Sequence, residues 1–155
     1  MADLDERRHP YHVAIENWTS DLNIGTVVRN ANAFLAARVH VVGRRRWNKR
    51  GAMVTDRYQH LSHHDAIEEL LAWAAGEGLP LIGIDNLPGS RPLEDTVLPR
   101  RCVLLFGQEG PGLSPEARDA CEMVCSITQD GSTRSLNAGV ASGIAMHTWV
   151  RQHAH

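Results

Sequence analysis

The sequence has few aromatic residues and no long apolar run. Phenylalanine, tryptophan and tyrosine together make up 5% of its 155 residues. No apolar stretch approaches the roughly 20 residues that a membrane-spanning helix needs, so we expect no contact with a membrane. With 43% hydrophobic residues, the chain can bury one sizeable core but is too short for two ordinary domains. We therefore expect a single domain over residues 1–155, with flexible segments at residues 1–10 and 152–155.

Cysteine is scarce and odd in number. The three cysteines are Cys102, Cys121 and Cys125, and the first residues lack the basic-then-apolar pattern of a secretory signal. Reduced thiols in a cytoplasmic protein are therefore expected. Because no second cysteine pair or nearby histidine completes a zinc site around Cys121 and Cys125, we expect no metal.

The sequence also lacks a strong net charge. A formal net charge of -2 argues against a protein that holds nucleic acid over its whole surface, because phosphate binding needs concentrated lysine and arginine. The basic residues are nevertheless unevenly distributed, since residues 38–57 contain seven of the sixteen and only one acid. Any contact with nucleic acid should therefore be local.

Short apolar runs alternate with helical patterns along the chain. The runs cover residues 12–15, 39–42, 79–84, 102–106 and 123–127. Between them, residues 23–36 carry an apolar stripe at helical spacing, residues 62–65 resemble a capping box for a helix, and Ser114-Pro115 is typical of a helix start. The longest loop is predicted at residues 89–101. This alternation predicts an α/β domain with a largely parallel sheet.

A last helix is expected from Ser135 or Leu136 to about Arg151. Its many alanines and glycines indicate close approach by another backbone, either within the fold or across a dimer. The residues expected to be buried on this helix are Leu136, Val140, Ile144 and Val150.

A glycine-rich segment, FGQEGPGL at residues 106–113, follows an apolar strand and precedes the predicted short helix. Its three glycines let the backbone turn sharply and present N–H and C=O groups to a ligand. The spacing fits neither a dinucleotide fingerprint nor a P-loop. By itself the segment is also compatible with an ordinary tight turn that carries a solvated Glu109.

A polar segment, DGSTRSLN at residues 130–137, leads into the last helix. Ser135 and Asn137 can both face a pocket there, where the helix dipole favours developing negative charge. The alternative is that Ser135 caps the helix while Asn137 lies on the surface.

A third segment, NIGTVVRN at residues 23–30, places Arg29 opposite the apolar stripe of its helix. Arg29 should therefore be exposed or lie in a cleft.

In this order, the three segments resemble the SpoU or TrmH-like family of RNA 2′-O-methyltransferases, within the SPOUT class. The family pattern N-x-G-x-x-x-R matches Asn23, Gly25 and Arg29, F-G-x-E-x-x-G-L matches residues 106–113, and S-L-N matches residues 135–137. The resemblance covers about residues 11–151, and the chain is similar to the minimal, single-domain members of the family.

The resemblance implies a parallel-sheet α/β-knot fold whose C-terminal segment forms a trefoil knot around the pocket for S-adenosylmethionine. It also implies a homodimer and a ribose 2′-hydroxyl of tRNA as the target, with rRNA as the alternative. The residues implied for cofactor binding are Ile84, Gly107, Glu109, Gly112, Ile127, Ser135 and Leu136.

The same resemblance implies catalytic roles for Arg29, Ser135, Asn137 and Glu109. Because an arginine is effectively always protonated, we expect Arg29 to hold a phosphate and stabilise the emerging alkoxide and not to act as a free base. Glu109 either fixes its loop or meets Arg29 across the site.

The most basic segment is RRRWNKR at residues 44–50, with five cations around Trp47. Such a segment can clamp phosphates and stack an unpaired base, although a solvated loop with a buried tryptophan is the alternative. The residues predicted to contact RNA are Asn23, Arg29, Arg44, Arg45, Arg46, Lys49 and Arg50.

Two other functions fit the same motifs. One is a non-catalytic RNA-binding module that kept the fold, and the other is an enzyme that methylates a base, as other SPOUT members do. Retention of Arg29, Glu109, Ser135 and Asn137 favours an enzyme.

Overall fold

The structure is a computed structural model that describes residues 2–18, 23–53, 55–108, 110–131 and 137–154. In these residues, seven strands form one sheet at the centre of the molecule. The strands are β1 (His12–Asn17), β2 (Val39–Gly43), β3 (Leu61–His64), β4 (Leu81–Ile84), β5 (Arg91–Pro92), β6 (Val103–Phe106) and β7 (Met123–Ser126). They lie in the order β3-β2-β1-β6-β4-β7-β5, and each neighbouring pair of these strands is parallel. The predicted parallel α/β domain is confirmed.

Helices cover both faces of the sheet. They are α1 (Ala2–Arg7), α2 (Asn23–Ala33), α3 (Ile67–Glu77), α4 (Pro115–Ala120) and α5 (Ala138–His153). Because successive strand residues point to opposite faces, Val13 and Ile15 of β1 join the core beneath α2 and α5, whereas Ala14 joins the core beneath α3 and α4. Burial on both faces explains why the strands read as continuous apolar runs.

The prediction of a capping box at residues 62–65 is wrong. Residues Leu61–His64 form β3, which pairs with β2 at the edge of the sheet, and α3 begins after Ala66 without a side-chain cap. The Ser62 hydroxyl accepts a hydrogen bond from the Arg38 guanidinium (3.1 Å) instead of capping a helix. Backbone pairing with β2 therefore outweighs the local capping pattern.

The segment at residues 89–101, predicted as a loop, contains the two-residue strand β5 and a 3₁₀ turn over Leu93–Asp95. The prediction for α4 is confirmed, because Pro115 begins the helix and the Ser114 hydroxyl accepts from the Ala117 amide (3.2 Å).

Helix α5 differs from its prediction in its start and in its buried face. It begins at Ala138, after Asn137 as N-cap, and extends to His153. Val140 and Ile144 are exposed (53% and 39%), contrary to the prediction, whereas Val150 is buried and Leu136 lies outside the described residues. In the first half of the helix, α2 packs directly against the small residues, so Val140 and Ile144 lie on the outer face, whereas Met146, Trp149 and Val150 are buried in the second half.

Residues near both ends of the chain contact the body of the protein. The Arg8 guanidinium donates to the Ala36 carbonyl (3.1 Å) and to the Gln59 side chain (3.0 Å), and His153 lies 2.7 Å from the Leu98 carbonyl oxygen. The expected flexibility of the terminal segments stays a prediction. Within the described ranges, no helix combines the length and the apolar character needed to cross a membrane.

Candidate active site

A cavity of about 330 Å³ opens beyond the carboxyl ends of β4 and β6, next to the first turns of α5. Ligands of open α/β sheets bind outside this edge of the strands. Apolar side chains line one part of the cavity and the backbone of the glycine-rich segment lines another. The lining residues are Ile84, Asp85, Asn86, Leu87, Phe106, Gly107, Gln108, Gly110, Pro111, Gly112, Ile127, Gln129, Ala138 and Ala141.

The glycine-rich segment doubles back on itself beside the cavity. A Cβ atom on Gly107 would lie 2.1 Å from the Gly112 carbonyl carbon and 2.2 Å from the Leu113 nitrogen, so only glycine fits. The Gly112 amide donates to the Gln108 carbonyl (2.9 Å), and Gly112 has a positive φ of 72°. Gly107 and Gly112 both line the cavity, so this tight turn forms part of its wall.

Asp85 holds this turn in place. One oxygen of its carboxylate accepts from the Leu113 amide (3.0 Å) and the other from the Asn86 amide (2.8 Å). Asp85 was not predicted from the sequence, although an acid directly after a buried parallel strand is a signal for this edge of the sheet.

Helices α2 and α5 are joined by a polar contact close to the cavity. The Asn30 amide nitrogen donates to the Gly139 carbonyl (2.9 Å) and to the Ser142 hydroxyl (3.0 Å). A Cβ atom on Gly139 would lie 2.8 Å from the Thr26 methyl carbon, so a larger residue would separate the helices. Arg29 is exposed on α2, next to Asn30. The first motif is therefore fixed to the helix that lines the cavity.

Asn137 caps α5. Its side-chain oxygen accepts from the amides of Gly139 (2.8 Å) and Val140 (3.3 Å), and its side chain is exposed. The alternative in which Ser135 caps the helix is not what the structure has, although Ser135 itself lies outside the described residues. The side-chain oxygen of Asn137 is thus occupied by the helix, and its amide nitrogen is the group that can donate a hydrogen bond to a substrate.

The basic segment, residues 44–50, is anchored at both ends. The Asn17 side chain donates to the carbonyls of Arg44 (2.8 Å) and Arg46 (2.9 Å). At the other end, a Cβ atom on Gly25 would lie 2.8 Å from the Ala52 nitrogen, which explains the glycine of the first motif.

The five cations of the basic segment, Arg44, Arg45, Arg46, Lys49 and Arg50, are exposed. Trp47 is half-buried against the core, and the Lys49 ammonium lies 5.8 Å from the centre of its ring. The structure thus favours the buried-tryptophan alternative for Trp47 while leaving the cations accessible.

Four of the residues predicted to bind the cofactor lie at the cavity. Ile84, Gly107, Gly112 and Ile127 line the cavity. Asn23 is buried at the start of α2. The predictions for Glu109, Ser135 and Leu136 fall outside the described residues. Gln108 and the start of α5, which also form the cavity wall, were not predicted from the sequence.

Three histidines form a hydrogen-bonded chain across β1, β2 and β3. His12 Nδ1 lies 3.1 Å from His40 Nε2, and His40 Nδ1 lies 3.0 Å from His64 Nε2. The Trp73 ring lies 4.3 Å from the His40 ring, centre to centre. Burial is the main cause that lowers the pKa of His12 to about 4 and that of His40 to about 3. In the described part of the chain, no group of histidine, cysteine and acidic residues is arranged to hold a metal ion.

All three thiols are free, as expected. Cys102 and Cys125 are buried and Cys121 is half-buried. Burial raises the pKa of Cys102 and of Cys121 to about 12. Such thiols stay protonated at neutral pH and are poor nucleophiles, so the chemistry of the site does not depend on them.

Residues 10–147 match the sequence profile of the SpoU rRNA Methylase family. The chain belongs to this family. An uncharacterized tRNA/rRNA methyltransferase of Mycobacterium sp. (strain KMS) is 33% identical over 147 residues, which cover 90% of this chain and 46% of the relative. The chain thus spans about half the length of that SpoU relative.

Two solved structures have the same fold. The SpoU methyltransferase AviRb from Streptomyces viridochromogenes, in complex with the cofactor AdoMet, has a TM-score of 0.84 at 27% identity and covers 98% of this chain and 61% of its own. A structure reported for the 2-OH methylation of C/U34 on tRNA has a TM-score of 0.79 at 27% identity and covers 93% of this chain and 96% of its own.

Proposed function

We propose that this protein is an RNA methyltransferase that uses S-adenosylmethionine (AdoMet) to methylate a ribose 2′-hydroxyl of tRNA. One observation carries the proposal. The glycine-rich turn and the start of α5 line one cavity at the carboxyl edge of the sheet, and Asn30, the residue after Arg29, bonds to the first turn of α5. Membership of the SpoU family and the likeness to AviRb in complex with AdoMet support this proposal.

The residues around the cavity fit this cofactor. A volume of about 330 Å³ lies within the range of small-molecule sites. Ile84, Leu87 and Ile127 offer apolar surface for an adenine ring, and Gly107 and Gly112 offer backbone groups for its edge. When bound, AdoMet supplies an electrophilic methyl group on its sulfonium. Glu109, Ser135 and Leu136 complete the proposed set.

The protein contributes position and electrostatics to the transfer. Arg29 is exposed on α2, which is fixed to α5 through Asn30, so its guanidinium can meet RNA without entering the core. We propose that Arg29 binds the phosphate beside the reacting ribose and stabilises negative charge on the 2′-oxygen. Asn137 caps the helix whose positive end faces the same charge, and its amide nitrogen can donate to the ribose. Ser135 and Glu109 keep their proposed catalytic roles.

The exposed basic segment is the proposed RNA-binding surface, together with Arg29. Asn17 anchors the backbone of this segment at the carboxyl end of β1, and β1 pairs with β6, which leads into the glycine-rich turn. Asn23 is the least accessible residue of the RNA-binding set, and its contact with RNA stays a prediction.

Among RNA substrates, we favour tRNA. The structure reported for 2-OH methylation of C/U34 on tRNA is similar over nearly the whole of both chains, whereas the Mycobacterium relative, named for tRNA and rRNA, is about twice as long. Ribosomal RNA is the second candidate.

We also propose a homodimer and a trefoil knot near the C-terminus. The exposed Val140 and Ile144 on α5 supply an apolar face for a second copy, because the small residues of α5 already contact α2 within the chain. The knot is what the resemblance to the SpoU family implies. A cytoplasmic location stays a prediction.

The proposal is tested by incubating the protein with methyl-labelled AdoMet and, separately, unfractionated tRNA and rRNA. The RNA is then hydrolysed and the labelled nucleoside is identified by mass spectrometry. We expect a ribose-methylated nucleoside from tRNA. A label on a base would contradict the ribose assignment. Absence of both AdoMet binding, measured by calorimetry, and methyl transfer would favour the non-catalytic RNA-binding module.

A further inference from the structure

Trp18 is an exposed aromatic side chain directly after β1, at the carboxyl edge of the sheet. It is 38% exposed, whereas Trp149 is fully buried. Trp47 and Trp73 are half-buried and pack against the core. Trp18 is therefore the tryptophan whose ring is most accessible to a ligand.

Three contacts fix Trp18 in one position. Its indole nitrogen donates to the Glu16 carboxylate (2.9 Å), and its backbone nitrogen donates to the Gln108 side-chain oxygen (2.7 Å). On one side of the ring lies Gly43, where a Cβ atom would come within 2.8 Å of the indole carbon Cε3. An exposed ring that is held this firmly loses little conformational entropy when a ligand binds to it.

Glu16, which accepts the hydrogen bond from the Trp18 indole, is itself held in one position. Its side chain is 1% exposed, and its second carboxylate oxygen accepts from the Ser114 amide (2.8 Å) at the start of α4. The indole is thus connected to an element that directly follows the glycine-rich turn.

The position of Trp18 joins the two parts of the proposed site. Gln108, which accepts the hydrogen bond from Trp18, lines the cavity. Asn17, the preceding residue, anchors Arg44 and Arg46 of the basic segment. Trp18 therefore lies between the proposed methyl-transfer site and the exposed cations.

We propose that Trp18 is a stacking platform for an unpaired base of the substrate RNA, at or next to the nucleotide that is methylated. This inference rests on the proposed function, which supplies RNA as the substrate. A flat aromatic face between a reaction site and phosphate-binding cations matches the way proteins hold single-stranded nucleotides, with stacking on the base and arginine on the phosphates. The base-stacking role thus belongs to Trp18 and not to Trp47.

The nearby charges favour RNA over an apolar protein surface as the ligand. The adjoining segment carries five exposed cations, which would have to lose water without compensation against an apolar partner. Against RNA they meet phosphates, and the release of counterions adds to binding.

The test compares Trp18→Leu, which removes the aromatic face, with Trp18→Phe, which keeps one. Tyr58→Leu is the matched control, because Tyr58 is also an exposed aromatic residue (49%). It lies just before β3, at the amino ends of the strands, whereas Trp18 lies at their carboxyl ends. The probes are unfractionated tRNA and unfractionated rRNA, measured in separate titrations. We expect Trp18→Leu to bind RNA about five-fold to one-hundred-fold more weakly, as for loss of one stacked base. Trp18→Phe should lose less, and Tyr58→Leu should match the wild type.

Tryptophan fluorescence gives a second measurement that a purely structural role would not move. RNA should quench the wild type and Trp47→Phe, and the quenching should be largely lost in Trp18→Phe. Affinity for AdoMet and the melting temperature should stay close to the wild type in Trp18→Phe. If Trp18→Leu does not fold, the affinity and quenching of Trp18→Phe still test the proposal.

Failure of this inference and failure of the proposed function give different results. RNA binding that depends on Trp18, without methyl transfer, would overturn the proposed function and support the stacking platform. Methyl transfer with equal RNA affinity and equal quenching in all variants would overturn the platform alone. If the wild type binds neither RNA, both proposals are wrong.

Discussion

Gly107 contacts the peptide that joins Gly112 to Leu113, so closely that a Cβ atom on Gly107 would lie 2.2 Å from the Leu113 nitrogen. The contact closes the turn that forms one wall of the cavity. Both sides of the contact are backbone, so neither can move aside as a flexible side chain would.

Gly107→Ala should therefore damage cofactor binding. Overpacking of this kind costs about 1 to 3 kcal/mol, and we expect a lower melting temperature together with about a ten-fold or greater loss of AdoMet affinity by calorimetry. Gly76→Ala is the control, since Gly76 lies in α3 with nothing within 4 Å of the added carbon. It should raise stability by about 0.5 to 1 kcal/mol. Normal AdoMet affinity in Gly107→Ala would contradict the role of this turn.

Arg29→Ala should abolish methyl transfer while largely preserving AdoMet binding, because Arg29 is exposed on α2 and its charge serves the RNA. Arg151→Ala is the matched control, because Arg151 is also an exposed helical arginine but lies in the last turn of α5, far from the cavity. Single-turnover methylation and calorimetry measure the two effects. An equal loss of AdoMet affinity in Arg29→Ala would place the arginine on the cofactor side.

Replacing Arg44, Arg45 and Arg46 together by glutamine should weaken RNA binding and flatten its dependence on salt. Each phosphate contact that is lost should reduce the slope of log affinity against log salt by about 0.7 to 0.9. The measurement is a binding titration at several salt concentrations. Arg100→Gln, at an exposed position just before β6, should leave the slope unchanged. A triple variant with the wild-type slope would place the RNA elsewhere.

Asp85→Ala should loosen the glycine-rich turn, because the carboxylate accepts from the Leu113 amide. We expect the KM for AdoMet to rise more than kcat falls, since Asp85 positions the cavity wall. Asp85→Asn should rescue only part of the loss, because an amide presents one oxygen where the carboxylate presents two. A fall in kcat with an unchanged KM would instead indicate a direct catalytic role.

The histidine chain should make the protein sensitive to acid. In the unfolded chain histidine titrates near pH 6.5, whereas in the folded protein burial lowers the pKa of His12 to about 4 and that of His40 to about 3. The unfolded state therefore binds more protons below about pH 6.5, so the free energy of unfolding should fall as the pH falls from there toward 4. Arg38, near both histidines, acts in the same direction, whereas Glu69 opposes the shift at His64.

Urea unfolding measured between pH 4 and pH 7.5 tests this expectation. His40→Asn should be less stable than the wild type at pH 7.5 but should show a shallower decline with acid. Parallel declines in both proteins would assign the acid sensitivity to other groups.

Most of the fold could be predicted from the sequence. Five of the seven strands in the described part of the chain were predicted, because strands that are buried on both faces appear in the sequence as short apolar runs between helical patterns. The two strands that were missed lie at the edges of the sheet, where β3 is polar at Ser62, His63 and His64 and β5 has two residues. Edge strands form through pairing with a neighbour, and local pattern does not contain that information.

The motifs were also readable from the sequence, but their physical reasons were not. The sequence by itself determined that Gly107 and Asn30 belong to these motifs. Only the tertiary structure decided that Gly107 must admit a returning backbone and that Asn30 must join α2 to α5. It likewise decided that Trp18 is more exposed than Trp47, which packs against the core. These contacts join residues far apart in the chain, and their distances depend on how strands and helices pack, which no local pattern of residues specifies.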